Sequence, residues 1–336
     1  VGCYAQTAPE ELAAVHGVNL VIGTKDKSKI VELVEDYQAE QGVQNYVTDI
    51  MHERVFEPLE IKKLANRTRA YLKIQDGCSQ FCSYCIIPYA RGPIRSRQPE
   101  DVIAEVKRLA ENGFKEVVLT GIHVASYGKD LKTITLTDII RQVHEVEGIE
   151  RIRFSSIEPN VVTEEFAAAM AELPKVCDHF HLSLQSGCDK TLKEMNRKYD
   201  TEKYRQAAAL LRKYLPDVAI TTDIIVGFPG ETEEDYQASR AFAEEIGFSK
   251  IHVFPYSPKK GTPAAARKDQ LQNAVKQERS HDLITVSDRM TDAFLQKHVG
   301  KVMPVLFERC VGDDVYEGHT TNYMKVHARS TKDLSN

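Results

Sequence analysis

Three of the seven cysteines in this chain of 336 residues lie within eight consecutive positions. Cys78, Cys82 and Cys85 follow a strand-like segment that ends in Asp76-Gly77, and they are spaced at i, i+4 and i+7. A loop with this spacing can place three thiolates around one face of a cubane iron–sulfur cluster. Four thiolates would saturate the irons, whereas three leave one iron open to a further ligand. The spacing therefore predicts a [4Fe–4S] cluster with an open iron for catalysis.

A zinc site and a set of unligated loop thiols are the two alternatives for these cysteines. Structural zinc takes four ligands, commonly from two CxxC-like pairs, so a distant residue such as His123 would have to complete the set. The position of the loop after a strand and the spacing of its thiols both favour the cluster. Cys177, Cys188 and Cys310 fit no ligand spacing, and we interpret them as packing or loop thiols.

Six strand-like segments alternate with segments of helical apolar spacing from residue 70 onward. In 99–112, for example, Val102, Val106 and Leu109 share one helical face. This alternation predicts an α/β fold with a parallel sheet and right-handed crossovers. A closed eightfold barrel needs two more units, so we predict a six-unit (β/α) partial TIM barrel with its chemistry at the C-terminal ends of the strands. The predicted strands are 70–75, 116–120, 151–156, 179–184, 219–226 and 250–255.

Smaller units are predicted on either side of this barrel. Residues 1–50 are interpreted as the C-terminal remnant of an α/β domain, in which Val1-Gly2-Cys3-Tyr4 is the end of a strand. Residues 51–69 are expected to be a linker, and 70–298 the barrel with a connecting helix. The short strands and glycines of 299–336 predict a small β-barrel that is cut short. We expect the chain to be a fragment that ends inside a domain at both termini.

The composition excludes several classes of protein. Apolar residues make up 42% and charged residues 28% of the chain, and no apolar run approaches the roughly 18 residues of a membrane helix. No signal peptide pattern is present, so we expect a cytoplasmic protein with no membrane partner. The net charge of −5, from 44 basic and 49 acidic residues, excludes a histone-like polycation but allows a local basic groove.

The CxxxCxxC motif after the first strand of a six-unit barrel resembles the radical S-adenosylmethionine (SAM) enzymes. The resemblance implies that the open iron binds the amino and carboxylate groups of SAM. It also implies that an electron from the cluster cleaves SAM to methionine and a 5′-deoxyadenosyl radical. By the same resemblance, strand-end residues hold SAM. These are Tyr84 against the adenine, Gly121 near the amino group, Ser183 and Gln185 at the ribose, and Ile225 and Gly227 beside the adenine.

Longer segments are similar to one branch of this family, the methylthiotransferases. They are 75–97, 185–187, 195–199 and 227–232. This resemblance implies an N-terminal domain whose three cysteines hold an auxiliary [4Fe–4S] cluster, a radical SAM core, and a C-terminal β module called TRAM that binds RNA. Cys3 is then a ligand of the auxiliary cluster in the full-length protein. The other two cysteines have no counterpart here, so we expect about four irons in this chain rather than eight.

The resemblance also implies partners for the protein. They are tRNA, SAM and an electron donor such as flavodoxin or ferredoxin. Basic residues that follow the cysteine loop or lie in the β module are the expected contacts with RNA phosphates. These residues are Arg91, Arg95, Arg97, Lys301, Arg309 and Lys325.

Three methylthiotransferase subfamilies compete for the substrate prediction. One acts on isopentenyladenosine in tRNA, one on an aspartate of a ribosomal protein, and one on threonylcarbamoyladenosine in tRNA. The segment 121–128 resembles the third, because the others usually have Gln in place of Ile122. We therefore predict methylthiolation at C2 of N6-threonylcarbamoyladenosine 37. The alternatives are the isopentenyladenosine substrate and a non-catalytic, metal-stabilised RNA-binding protein.

Overall fold

The computed structural model of the protein describes residues 1–38, 42–58 and 68–335. The strands are β1 (Leu20–Val21), β2 (Gln44–Asn45), β3 (Arg69–Asp76), β4 (Arg95–Ser96), β5 (Glu116–Gly121), β6 (Arg151–Phe154), β7 (His179–His181), β8 (Ala219–Val226), β9 (Lys250–Pro255), β10 (Val305–Gly312), β11 (Val315–Thr320) and β12 (Lys325–Arg329). The helices are α1 (Cys3–Thr7), α2 (Pro9–Ala13), α3 (Ile30–Glu35), α4 (Ile87–Arg91), α5 (Pro99–Glu111), α6 (Leu136–His144), α7 (Glu164–Ala171), α8 (Asp189–Glu194), α9 (Thr201–Tyr214), α10 (Glu233–Ile246) and α11 (Asn273–Gln296).

Strands β3 to β9 form a curled half-barrel sheet in a mixed α/β fold. The order β4-β3-β5-β6 is continued by β7-β8-β9 through the single bridges Ile152–Val176 and Ile157–Leu182. All pairings except that of the two-residue β4 are parallel. Strand β7 is shorter than the predicted 179–184, and backbone contacts with β8 continue beyond its end as far as the isolated bridge between Gln185 and Ile224.

The two faces of the sheet have different surroundings. In β3, Ala70, Leu72 and Ile74 belong to the core between the sheet and its helices. Successive side chains of a strand point to opposite faces, so Tyr71 and Lys73 face the concave side. The same alternation holds along the other parallel strands. Among the described residues, no helix is long and apolar enough to cross a membrane.

The N-terminal unit is built around the parallel pair of β1 and β2. Residues 3–7 form the helix α1, so the prediction that the chain begins with the end of a strand is wrong. The predicted linker starts with a short 3₁₀ turn, Ile50–His52. It then packs on the N-terminal unit, because Glu53 forms an ion pair with Lys25 at 2.8 Å. Residues 59–67 of that linker lie outside the described residues.

The C-terminal unit is a three-stranded antiparallel sheet in the order β10-β11-β12, where the sequence predicts a small β-barrel. It docks on the N-terminal ends of the parallel strands. Arg151 donates to the His319 carbonyl at 2.8 Å, and Arg153 donates to the Thr320 carbonyl at 2.9 Å. Both arginines lie at the start of β6. The sheet therefore covers the end of the half-barrel opposite the C-terminal strand ends.

Candidate active site

The loop that contains the three cysteines is held in place by backbone contacts. It begins after Asp76, the last residue of β3, and runs without regular structure to α4. Gly77 has a φ of +74°, and a Cβ on it would lie 1.8 Å from the Pro93 carbonyl oxygen. The Cys78 amide donates to the Gly92 carbonyl at 2.9 Å. The sequence thus positions Cys78 through a glycine that no other residue can replace without movement.

The three thiols are largely buried and lie near one another. Burial raises the pKa of Cys78 to about 11, and the charges of Cys82 and Cys85 add to this rise. Burial also raises the pKa of Cys85. A thiol with a raised pKa becomes a thiolate at neutral pH only when a cation such as iron binds it. The loop therefore suits a metal cluster better than a free nucleophile.

The donor set fits the iron–sulfur cluster of the sequence prediction. The set consists of three thiols, with Cys82 buried and Cys78 and Cys85 partly exposed, and soft thiolates favour iron–sulfur clusters. No group of three or more His, Cys, Asp or Glu residues converges on a single ion in the part of the chain that is described. A cubane does not need such convergence, since each thiolate binds a different iron. His123, the fourth zinc ligand considered above, has its ring nitrogens beside Ser126 and, at 3.2 Å, Glu158.

Three of the predicted SAM-site residues come together beside this loop. The Tyr84 hydroxyl donates to the Gln185 side-chain oxygen at 3.1 Å. Tyr84 and Ile225 both pack on the small cluster of Met195, Phe228, Tyr256 and Ala264. The cysteine loop, the residues that follow β7 and the end of β8 thus share one site at the C-terminal strand ends.

The other three predicted SAM-site residues have different surroundings. A Cβ on Gly121 would lie 2.7 Å from the Gln75 side-chain oxygen, so a larger residue at position 121 would clash with Gln75. A Cβ on Gly227 would lie 2.5 Å from Lys276 of α11, which places this glycine against the outer helix. The Ser183 carbonyl accepts from the Tyr199 hydroxyl at 2.8 Å.

A buried ionic network lies beside the cysteines, and its acidic member Glu158 was not predicted from the sequence. Arg197 donates to the Cys82 sulfur at 3.2 Å and lies 3.0 Å from a Glu158 carboxylate oxygen. Burial alone would raise the pKa of Glu158, but the contacts with His123 and Arg197 outweigh it and lower the pKa. The available signal was the position of Glu158, an acidic residue just after a strand whose C-terminal end faces the site. The network ties the cysteine loop to the ends of β5 and β6.

Comparison with known proteins identifies this arrangement. A family model described as the Radical SAM superfamily matches residues 72–243. The threonylcarbamoyladenosine tRNA methylthiotransferase MtaB of Bacillus subtilis (strain 168) is 43% identical over 338 residues, which cover 99% of this chain and 75% of that protein. The chain belongs to the radical SAM family of tRNA methylthiotransferases. The family prediction is therefore confirmed, and membership implies a [4Fe–4S] cluster and SAM as cofactors.

Other relatives of this methylthiotransferase chain differ in their named substrate. The tRNA-2-methylthio-N(6)-dimethylallyladenosine synthase of Thermoanaerobacter sp. (strain X514) is also 43% identical, over 87% of this chain and 62% of that protein. The solved structure of the radical SAM methyltransferase TsrM from Kitasatospora setae, with tryptophan and a SAM analogue, has a TM-score of 0.55 and 16% identity. It covers 73% of this chain and 52% of TsrM, and it shows the fold alone.

The methylthiotransferase chain connects Cys3 to the cysteine loop through one arginine. Arg91, at the end of α4, donates to the Cys3 sulfur at 3.1 Å and lies 3.8 Å from the Asp76 carboxylate. Burial alone would raise the pKa of Asp76, but the neighbouring Lys73 and Arg91 lower it. Asp76 directly precedes the cysteine loop. The two predicted cluster sites are therefore linked by a short chain of contacts.

The basic residues predicted to contact RNA are placed differently from the expectation. Arg95 and Arg97 are buried, Arg95 near Asp76 and Arg97 in an ion pair with Glu105 at 3.1 Å. The expectation that all three arginines near the cysteine loop can contact RNA is therefore wrong for Arg95 and Arg97, and Arg91 is the partly exposed one. Lys301, Arg309 and Lys325 lie at or next to the β10–β12 sheet, which covers the end of the half-barrel opposite the cysteine loop. Lys301 pairs with Asp217, and both Arg309 and Lys325 pair with Glu317.

Replacement of Arg197 by Met tests the importance of the ionic network for stability. Glu158 would keep a buried charge whose remaining partners are His123 and the Gln80 amide, neither of which carries a permanent positive charge, so the free energy of unfolding should fall by about 3 kcal/mol. Urea unfolding monitored by circular dichroism measures the change. Arg205→Met is the matched control, because Arg205 pairs with Glu245 on the surface and should cost less than about 1 kcal/mol. Equal losses for the two variants would contradict this role.

Proposed function

We propose that the protein methylthiolates C2 of N6-threonylcarbamoyladenosine 37 in tRNA, replacing the C2–H bond by a C–SCH₃ bond. One comparison carries this proposal. The match to the threonylcarbamoyladenosine enzyme runs along 99% of the chain, whereas the match to the dimethylallyladenosine enzyme covers 87% at the same 43% identity. The threonylcarbamoyladenosine enzyme of Aquifex aeolicus (strain VF5) also matches, with 38% identity over 91% of the chain.

The residues at the C-terminal strand ends have distinct parts in this proposal. Cys78, Cys82 and Cys85 would hold the cluster, which would supply the electron for reductive cleavage of SAM. Tyr84 and Gln185, joined by their hydrogen bond, form one wall for the adenosine of SAM. Ser183, Gly121, Ile225 and Gly227 complete the proposed SAM site.

Cys3 and the C-terminal sheet complete the proposal outside the half-barrel. Cys3 is a ligand of an auxiliary [4Fe–4S] cluster that holds the sulfur to be transferred, and Arg91 donates to its sulfur. The β10–β12 sheet corresponds to the TRAM module, in which the exposed side chains of Arg309 and Lys325 contact tRNA phosphates. A flavodoxin or ferredoxin supplies the electrons, in the cytoplasm where tRNA is modified.

Nucleoside mass spectrometry of tRNA tests the proposed function. Cells that lack the gene should lose the 2-methylthio derivative of threonylcarbamoyladenosine and accumulate threonylcarbamoyladenosine in its place. The 2-methylthio derivative of isopentenyladenosine serves as the internal control and should stay unchanged. Loss of the isopentenyl derivative instead would overturn the substrate assignment. No change in either nucleoside would favour the non-catalytic RNA-binding alternative.

A further inference from the structure

The concave side of the half-barrel is a polar chamber with one closed end. Arg69, Arg153 and His179 lie on the inner face of β3, β6 and β7, and all three contact the ring of Tyr323. The Cζ atoms of Arg69 and Arg153 lie 5.1 and 4.7 Å from the centroid of the Tyr323 ring. The His179 ring stacks on Tyr323 with 4.9 Å between the two ring centroids. Three separate strands can meet one ring only if the sheet curls around it. Tyr323, from the loop between β11 and β12, thus closes the chamber at the N-terminal strand ends.

The first and last parallel strands of the curled sheet carry exposed aromatic side chains on this inner face. Tyr71 on β3 is 43% exposed, and Phe254 on β9 is 51% exposed. Their strand neighbours Leu72 and Val253 pack in the core, so the aromatic rings point to the concave side. Strands β3 and β9 are the first and last parallel strands, and they therefore flank the open side. Exposed aromatics at the mouth of a polar chamber are suited to stacking with a nucleic acid base.

The wall between these edges has polar groups with unused hydrogen-bonding capacity. His181 Nε2 lies 3.2 Å from an Asp223 carboxylate oxygen, but the geometry does not make a hydrogen bond, and this buried nitrogen has no other partner among the described residues. The buried Ser155 hydroxyl also has no hydrogen-bond partner among the described residues. His252 is paired in register with Asp223, and its ring lies 5.8 Å from that of His181. Buried polar atoms without partners are rare, and a bound ligand is one explanation for them.

These groups lie directly below the proposed SAM site. Asp223 precedes Ile225 by two residues on β8, which is about 7 Å along a strand towards the closed end. The register pairs Ile225 with Phe254 and Asp223 with His252. A molecule that enters between the strand edges and lies beneath SAM would therefore meet the aromatic edge first and the polar wall behind it.

We propose that this chamber holds the target adenine, stacked by Tyr71 and Phe254, with its N6 substituent against Ser155, His181, Asp223 and His252. The inference rests on the proposed function and deepens it, because it assigns the residues that select the substrate. A threonylcarbamoyl group has a urea, a hydroxyl and a carboxylate. Its N–H and O–H groups can donate to Asp223, and the histidines and Ser155 can donate to its oxygens.

An isopentenyl substituent has no group that could form these contacts. It would bury hydrocarbon against the Asp223 carboxylate and leave His181 Nε2 without a hydrogen-bond partner, which costs binding energy. A site built to hydrogen-bond a polar substituent therefore rejects the apolar analogue. The two classes of relative are equally identical to this chain at 43%, so overall identity does not separate them. The polarity of this wall in the present chain is the observation that favours the threonylcarbamoyl substituent.

RNA binding by the protein without SAM turnover tests the chamber. The probes are anticodon stem-loops with either threonylcarbamoyladenosine or unmodified adenosine at position 37, measured by fluorescence anisotropy. Asp223→Asn should raise the Kd for the threonylcarbamoyl loop by about tenfold and leave that for the unmodified loop unchanged. Tyr71→Ala and Phe254→Ala should raise both Kd values, by roughly 5- to 100-fold, because stacking does not depend on the substituent.

Two matched variants control for the loss of a charge and of an aromatic ring. Asp101 is exposed on α5, and Tyr214 lies at the end of α9 beside Glu164. Asp101→Asn and Tyr214→Ala should bind both loops as the unaltered protein does. If Asp223→Asn affects both loops equally, or neither, the chamber assignment is wrong. If the unaltered protein shows no preference for the threonylcarbamoyl loop, the proposed substrate fails instead.

Discussion

Replacement of Cys78, Cys82 or Cys85 by Ala is expected to reduce 5′-deoxyadenosine formation from SAM to the background of the assay. Each thiolate anchors a different iron, so the loss of one removes the cluster or leaves a three-iron remnant. Neither product retains the open iron that SAM requires. Anaerobic reconstitution, iron analysis and chromatography of 5′-deoxyadenosine measure the effect.

Two other cysteine variants make this result specific. Cys310 is exposed on β10, and Cys310→Ala should retain full SAM cleavage. Cys3→Ala should also cleave SAM, because Cys3 belongs to the proposed auxiliary site. Substantial cleavage by any variant of the loop cysteines would refute the cluster assignment. Loss of cleavage in Cys310→Ala would point to general instability.

Replacement of Gly77 by Ala should have an effect nearly as large as that of the cysteine variants. The new Cβ would lie 1.8 Å from the Pro93 carbonyl oxygen and 2.7 Å from that of Gly92, so the backbone must move. That movement breaks the contact between the Cys78 amide and Gly92 and displaces the first thiol of the loop. We expect cluster content and SAM cleavage to fall at least about tenfold, since a misplaced ligand weakens the whole set.

Gly113→Ala separates this clash from ordinary backbone strain. Gly113 also has a positive φ, +86°, but nothing lies within 4 Å of the position of its Cβ. An Ala there pays only for the left-handed conformation, about 1–2 kcal/mol, at a site far along the chain from the cysteines. It should retain its cluster and its activity. If Gly77→Ala behaves like Gly113→Ala, the loop does not depend on this close contact.

The regular part of the fold could be predicted because strong local patterns determine it. The predicted strands 219–226 and 250–255 agree with β8 and β9 to the residue, since apolar alternation and flanking turns mark their ends. The prediction failed at residues 1–4, because the helix α1 begins at Cys3. That helix packs against α4 and contains Cys3, the partner of Arg91. A contact across 88 positions leaves no local signal in five residues.

The site residues, like the fold, could be predicted where neighbouring residues in the sequence determine them and not where distant residues do. The spacing of Cys78, Cys82 and Cys85 is local, and it was sufficient to predict the cluster. The burial of Arg95 and Arg97 depends on Asp76 and Glu105, which only the folded chain brings near. For the same reason, the polar wall around Asp223 could not be predicted, because its members come from four separate segments of the chain.

A competition between two modified RNAs determines which N6 substituent the protein selects. The protein, reconstituted anaerobically, receives equal amounts of anticodon stem-loops with threonylcarbamoyladenosine or isopentenyladenosine at position 37. Mass spectrometry then quantifies the methylthiolated product of each. We predict product from the threonylcarbamoyl loop and essentially none from the isopentenyl loop. Preferential conversion of the isopentenyl loop would contradict it.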